Sequence, residues 1–340
     1  MSAHPESSMM RFLVLCLFLL PMVATADEPV TSFTGDPAPK VVDEWNAFVA
    51  GRPQFLQPTS VAASRDGFLF VLDWEHGNIL RFKLDGTYVD SWKVPNAFHR
   101  PAARSLNAIA VSDRMIYVSD LASESIHEFT PQGKHKGTLP FRADLNGLAV
   151  DPLGNIYVSG SQVSGVDTLI SPQQAGSKSP PDTILQATTV DGPALWKLNR
   201  LGDVLNRWDR HVGAITVDAH GMLVAVTEVY PRGPVSILRL DPTGGRISEW
   251  ELKELGPGAY RSVNDIAVDQ RGHVFLTSAQ QRKIIELDPW GEWTRAWSSA
   301  GPVYRPILQP VGTAVDTLGC LYVTDWAVSR IVKYDPRKAP

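Results

Sequence analysis

Asn107, Asn146 and Asn264 each stand at the head of a short apolar run. A primary amide there could hold a metal ion, an ordered water chain or a polar ligand. The same amide could instead bond its own turn, as asparagine does wherever backbone groups are free nearby. Arginine recurs close by: Arg104 lies three residues before Asn107, Arg261 three before Asn264, and Arg210 holds the same offset in a third segment. Guanidinium groups grip carboxylate or phosphate in paired bonds, or tether loops by pairing with Asp73, Asp120, Asp325 or Glu228. Trp74 and Trp326 each follow an aspartate directly, in "LDWEHGN" and "TDWAVSR". They could stack on a sugar, a ring or an aliphatic chain, or pack beneath their own loops. His76, His99 and His211 could supply three nitrogens to zinc, but they lack close ligand spacing. No nucleophile elbow, phosphate-binding loop, dinucleotide fingerprint or zinc motif occurs.

The elements that position these groups are repeats. Six segments align: "TSVAASRDGFLFVLD" from Thr59, "NAIAVSDRMIYVSD" from Asn107, "NGLAVDPLGNIYVSG" from Asn146, "GAITVDAHGMLVAVTE" from Gly213, "NDIAVDQRGHVFLTS" from Asn264 and "VGTAVDTLGCLYVTD" from Val311. Each is an apolar run, a turn and a second apolar run, which reads as a β-hairpin. A third strand follows in every copy ("NILRFK", "SIHEFT", "ALWKLN", "SILRLD", "KIIELD", "RIVKYD"), and then another turn. In three copies an aspartate (Asp73, Asp120, Asp325) opens the turn before the third strand, where it can accept backbone N–H groups.

A fourth strand is marked by tryptophan six residues after a turn glycine: Gly86/Trp92, Gly202/Trp208, Gly244/Trp250 and Gly291/Trp297. Copy two has Leu139 there, and copy six has no fourth strand before Pro340. Upstream of copy one, "VVDEWNAFVAGRPQFLQP" aligns with "TRAWSSAGPVYRPILQP", which leads into copy six. The segment around Trp45 is therefore expected to complete the last blade. Four-stranded units closed by both termini define an all-β, six-bladed β-propeller. A linear solenoid gives no reason to divide one repeat between the termini.

"PVGTAVD", with "GCLYVTDWAVSRIVKYDP" after it, resembles the NHL repeat over about the whole mature chain. That resemblance implies a propeller but no one function, because NHL propellers include binding modules and a peptidylglycine amidating lyase domain. "LNGLAVDPLGNIYVSG" is more weakly similar to the gluconolactonase/regucalcin class, whose asparagine in such a context helps hold a metal in the central channel. On that resemblance Asn146 would be a ligand, and Asn264-Asp265 lies where a channel aspartate would stand. The family's early metal-binding glutamate has no counterpart, since Thr59 occupies its place. The metal implied is a single Ca²⁺ or Zn²⁺ ion in the channel.

Composition bounds the rest. Hydrophobic residues make up 44% and charged residues 20%, as in a globular protein with a substantial core. The net charge of −4 and the lack of a Lys/Arg-rich run speak against nucleic acid. Residues 1–26 read as a signal peptide: Arg11, the apolar run Phe12 to Leu20, Pro21, and small residues before Asp27. The run is too short to span a bilayer as a helix, so the expected location is periplasmic or secreted, without a membrane anchor after cleavage. Cys320 then has no intrachain partner. Residues 27–36 read as a linker, and 37–340 as one propeller with an insertion at 161–193 in blade three. The expected function is binding of a small ligand or protein on the top face by a monomer. The alternative is a metal-dependent lactonase-like hydrolase or a lyase working at the channel mouth.

Overall fold

The computed structural model describes residues 38–46, 55–95, 106–141, 143–162, 193–228, 235–252, 263–298 and 306–338. Residues 35–340 belong to one compact unit. The signal segment, the linker and residues 163–192 of the blade-three insertion lie outside the described residues. The flanking strands run to Gln162 and resume at Pro193.

Six four-stranded antiparallel sheets make up the described fold, with no α-helix among the described residues. The first strand in the chain, β1 (Lys40–Asn46), stands apart from blade one. Blade one is β2 (Pro58–Ala63), β3 (Phe68–Asp73), β4 (Asn78–Lys83) and β5 (Tyr88–Lys93). Blade two is β6 (Leu106–Val111), β7 (Ile116–Asp120), β8 (Ser125–Phe129) and β9 (His135–Pro140). Blade three is β10 (Ala143–Val150), β11 (Ile156–Gln162), β12 (Pro193–Leu198) and β13 (Val204–Trp208). Blade four is β14 (Val212–Val217), β15 (Leu223–Glu228), β16 (Val235–Leu240) and β17 (Arg246–Glu251). Blade five is β18 (Asp265–Val268), β19 (Val274–Ser278), β20 (Lys283–Leu287) and β21 (Trp293–Trp297). Blade six takes β22 (Pro310–Val315), β23 (Leu321–Asp325) and β24 (Arg330–Asp335) from the end of the chain.

Its fourth strand is β1, antiparallel to β24 with Lys40 opposite Asp335 and Asn46 opposite Arg330. The sequence expectation of a ring closed by the N-terminal segment therefore holds. Trp45 is fully buried, stacked on Tyr322 with ring centroids 5.8 Å apart. It also fills the space over Gly86 of blade one, where a Cβ would overlap the indole.

The glycine–tryptophan spacing now has a physical reason. Trp92 lies over Gly133, Leu139 over Gly202, Trp208 over Gly244 and Trp250 over Gly291, so each fourth-strand side chain caps the turn of the following blade. These turn glycines have positive φ, +80° at Gly86 and +91° at Gly244, which L-residues adopt only with strain. Long cations strengthen the same interfaces. Arg81 donates to Pro131 O at 2.9 Å, Lys197 to Pro242 O at 2.7 Å and Lys333 to Leu84 O at 2.8 Å. Tryptophan and cation together bind blade one to blade two, blade three to blade four and blade six to blade one.

Candidate functional site

The inner strands β2, β6, β10, β14, β18 and β22 surround the central channel. At the heads of five of them the pairing register slips, as between Leu145 and Gly147 or between Pro310 and Thr313. Such bulges turn the head residue out of the ladder. The channel mouth on this face, the top, is a cavity of about 330 Å³ whose polar lining includes Thr59, Asn107, Asn146, Asn264 and Asp265. A second cavity of about 180 Å³ opens at the bottom, among Ser64, Ser112, Asp151, Asp218 and Asp316. Both share an apolar belt of Ala63, Val111, Val150, Val217, Val268 and Val315. The belt separates the two polar mouths.

Asp265 is the one acidic residue lining the top cavity among the described residues. Its counterparts in the other blades are Ser60, Ala108, Gly147, Ala214 and Gly312, all small. Its Oδ2 accepts the Thr313 amide of blade six at 2.8 Å and its Oδ1 accepts the Ile266 amide at 2.9 Å. The residue is partly exposed at the channel, and burial pushes its carboxyl up to about 7 against the lowering effect of both amides. The Oγ1 atoms of Thr59 and Thr313 are buried without a hydrogen-bond partner.

The three asparagines share this cavity but differ in what they offer. Asn107 donates Nδ2 to Leu145 O at 2.7 Å, tying blade two to blade three and leaving its amide oxygen. Asn264 accepts the Ala279 amide at 2.8 Å and so keeps its NH₂ group. Asn146 is exposed and makes no hydrogen bond among the described residues. Local bonding thus accounts for half of the amide function at Asn107 and Asn264, and for none at Asn146.

The arginine ring is not visible as such. Arg210 is exposed, and Arg104 and Arg261 lie outside the described residues. Among the described residues the aspartates named as tethers have partners close in the chain. Asp325 binds Arg330 at 3.0 Å, Asp73 binds His76 Nδ1 at 2.7 Å, and Asp120 lies 3.5 Å from His127 Nε2. Each partner comes from the turn or strand that follows its aspartate, which is a shorter reach than a loop arginine needs. These aspartates also hold backbone amides as expected, Asp73 those of Leu56 and His76 and Asp325 those of Leu308 and Gln309.

The donors present do not fit the metal that the lactonase resemblance implies. Among the described residues no three His, Cys, Asp or Glu side chains converge, and His99 lies outside them. Calcium takes six to eight oxygens, whereas the cavity offers one carboxylate whose two oxygens already accept amides. No step below passes through a metal.

Trp74 and Trp326 do meet. Their ring centroids are 6.2 Å apart at an interplanar angle of 65°, an edge-to-face contact across the seam between blades one and six. Both are half-buried.

The strand order and the channel make this chain a six-bladed β-propeller. Among solved structures it is similar to virginiamycin B lyase from Staphylococcus aureus at 15% identity (TM-score 0.53; 86% of this chain, 97% of that one). It is likewise similar to a gluconolactonase from Xanthomonas campestris at 14% identity (TM-score 0.57; 91% and 98%). A chain of a nidogen/laminin complex matches at 18% (TM-score 0.51; 81% and 90%). No family model and no curated protein matches. At these identities the likeness concerns the fold, which hosts enzymes and binding proteins alike.

Proposed function

We propose that this propeller is an extracytoplasmic, NHL-type monomer that binds a small polar ligand in the top mouth of its channel. The observation that carries this reading is Asp265. It is a carboxyl group in an otherwise small-residue position, at the side of a 330 Å³ polar cavity floored by an apolar belt. Asp265 accepts from a ligand donor, the Asn107 oxygen accepts a second, and the amides of Asn146 and Asn264 meet ligand oxygens. Few and fixed polar groups at the neck of a cavity give orientation and specificity. The N-terminal signal sequence supports the location, and the repeat around Val311 supports the NHL reading.

The experiment is a thermal-shift screen of small polar metabolites against the mature chain, with Asn146→Ala and Asp265→Asn in parallel. Binders should raise the melting temperature of the wild type and lose most of that effect in both variants. Equal shifts in all three proteins would refute the site.

A second reading rests on the same carboxyl. A group that titrates near neutrality is suited to take a proton from water or from a substrate carbon. The chain would then be a lactone hydrolase or a lyase, as the names of two structural neighbours suggest. Turnover of any lactone that disappears in Asp265→Asn while ligand binding persists would favour it. Ligand binding without turnover would leave the first reading.

A further inference from the structure

The top of the seam between blades six and one carries the same module twice. "FLQP" ends at Pro58 and "ILQP" at Pro310, and each is followed within its blade by an Asp-Trp pair, Asp73-Trp74 and Asp325-Trp326. In both blades the aspartate holds the Leu-Gln segment: Leu56 N donates to Asp73 Oδ1 at 3.3 Å and Gln309 N to Asp325 Oδ1 at 2.9 Å. The paired modules bring the two tryptophans into contact at 6.2 Å.

Gln57 lies between the two tryptophan-bearing turns. Its neighbour Leu56 accepts the Glu75 amide of one turn, and Gln57 N donates to Ser329 Oγ of the other at 3.1 Å. Gln57 is held at φ +55°, in the left-handed region that glutamine seldom adopts. Its Oε1 and the Thr59 Oγ1 are buried without hydrogen-bond partners. Strain and unmet hydrogen bonds of this kind gather at ligand clamps.

The charged groups at the seam hold partners, and carboxylates outnumber cations among them. Arg330 binds Asp325 at 3.0 Å and Glu44 at 3.1 Å, His76 binds Asp73, and Glu75 is not free. An anionic ligand would meet these carboxylates against a single arginine. A neutral ring that carries both C–H faces and hydroxyl donors matches what is offered: two half-buried indoles and the unmet Gln57 Oε1.

We infer that this seam is a binding site for the ring of a neutral saccharide, formed by Trp74, Trp326 and Gln57. One sugar face stacks against the half-buried indole of Trp326, with Trp74 edge-to-face beside it. Its hydroxyls donate to Gln57 Oε1, which turns outward about its outer side-chain torsions. The site is separate from the Asn/Asp265 set and stands whether or not the channel binds a ligand.

The test is a panel of neutral oligosaccharides probed with the mature chain, followed by titration of the best binder through tryptophan fluorescence. Trp74→Ala and Trp326→Ala should each weaken binding by about tenfold or more, about 1.4 kcal/mol. Trp74→Phe and Trp326→Phe should weaken it less, Gln57→Leu should also weaken it, and Asn146→Ala should leave it unchanged. If either alanine variant fails to melt cooperatively, the phenylalanine and Gln57→Leu variants decide. No binding across the panel, affinity indifferent to these substitutions, or tetramethylammonium binding in place of sugars would each overturn the inference.

Discussion

Replacing Trp45 with alanine tests how the ring is closed. The indole is 1% exposed, stacks on Tyr322, and lies against Gly86 of the next blade. Alanine would leave a cavity bounded by blades six and one, and neither wall can collapse inward without breaking the β1–β24 ladder. Truncating a buried tryptophan costs about 3–5 kcal/mol. At roughly 2–4 °C per kcal/mol for domains of 150–250 residues, that corresponds to a fall in melting temperature of about 10 °C. The assay is a thermal or denaturant melt of the mature chain, with Leu139→Ala in the equivalent place of blade two as the comparison. A chain that begins at Gln57 goes further. It lacks β1, exposes the edge of β24, and should lose cooperative melting altogether. If Trp45→Ala melts within a degree or so of wild type (well under 1 kcal/mol), or the shortened chain melts unchanged as a monomer, the account of closure is wrong.

Three other outcomes follow from the geometry. Gly244→Ala should destabilise by about 1–3 kcal/mol, because the new Cβ meets the Trp208 indole and φ is +91°; a guanidinium melt measures it. Arg330→Ala should cost about 3–5 kcal/mol, since it leaves the buried Asp325 carboxylate without its cation and Glu44 without its partner; the same melt, with Arg330→Lys beside it, reads the loss. Asp265 gives a pH dependence of definite sign. Its folded value, about 7, lies above the unfolded value near 4, so the folded chain binds more protons between them and stability falls as pH rises through that window. Relative to Asp265→Asn, wild type should therefore lose stability, on the order of a few kcal/mol, between about pH 4 and pH 7, with no further change above. A difference that is flat with pH would mean the carboxyl is not perturbed.

The closure was legible because it depends on distances along the chain. Glycine and tryptophan six residues apart mark four of the fourth strands, and Trp45 could be assigned to blade six because its segment aligns with the one around Trp297. The Asp-Trp pairs of blades one and six could be placed on neighbouring blades from the same pattern, but the contact of Trp74 with Trp326 is seen only in the structure. The channel chemistry was less legible. Asp265 sits inside "NDIAVD", where only the weaker family resemblance pointed to a channel aspartate; the small counterparts in the other blades set it apart on residue grounds. Asparagine type cannot say which half of an amide its own backbone occupies. Asn107 and Asn264 prove to be held by opposite ends. Asp73, Asp120 and Asp325 have near partners in His76, His127 and Arg330, which follow their aspartates by no more than seven residues, whereas Arg104 and Arg261 lie outside the described residues.

The most direct test of the channel-mouth reading is a crystal structure of residues 27–340 soaked with the strongest binder from the polar-metabolite screen. The account predicts ligand density in the top cavity above the valine belt, within hydrogen-bond distance of Asp265 and Asn146. Density at the bottom mouth or on the outer faces of the blades, with the top cavity holding only water, would contradict it.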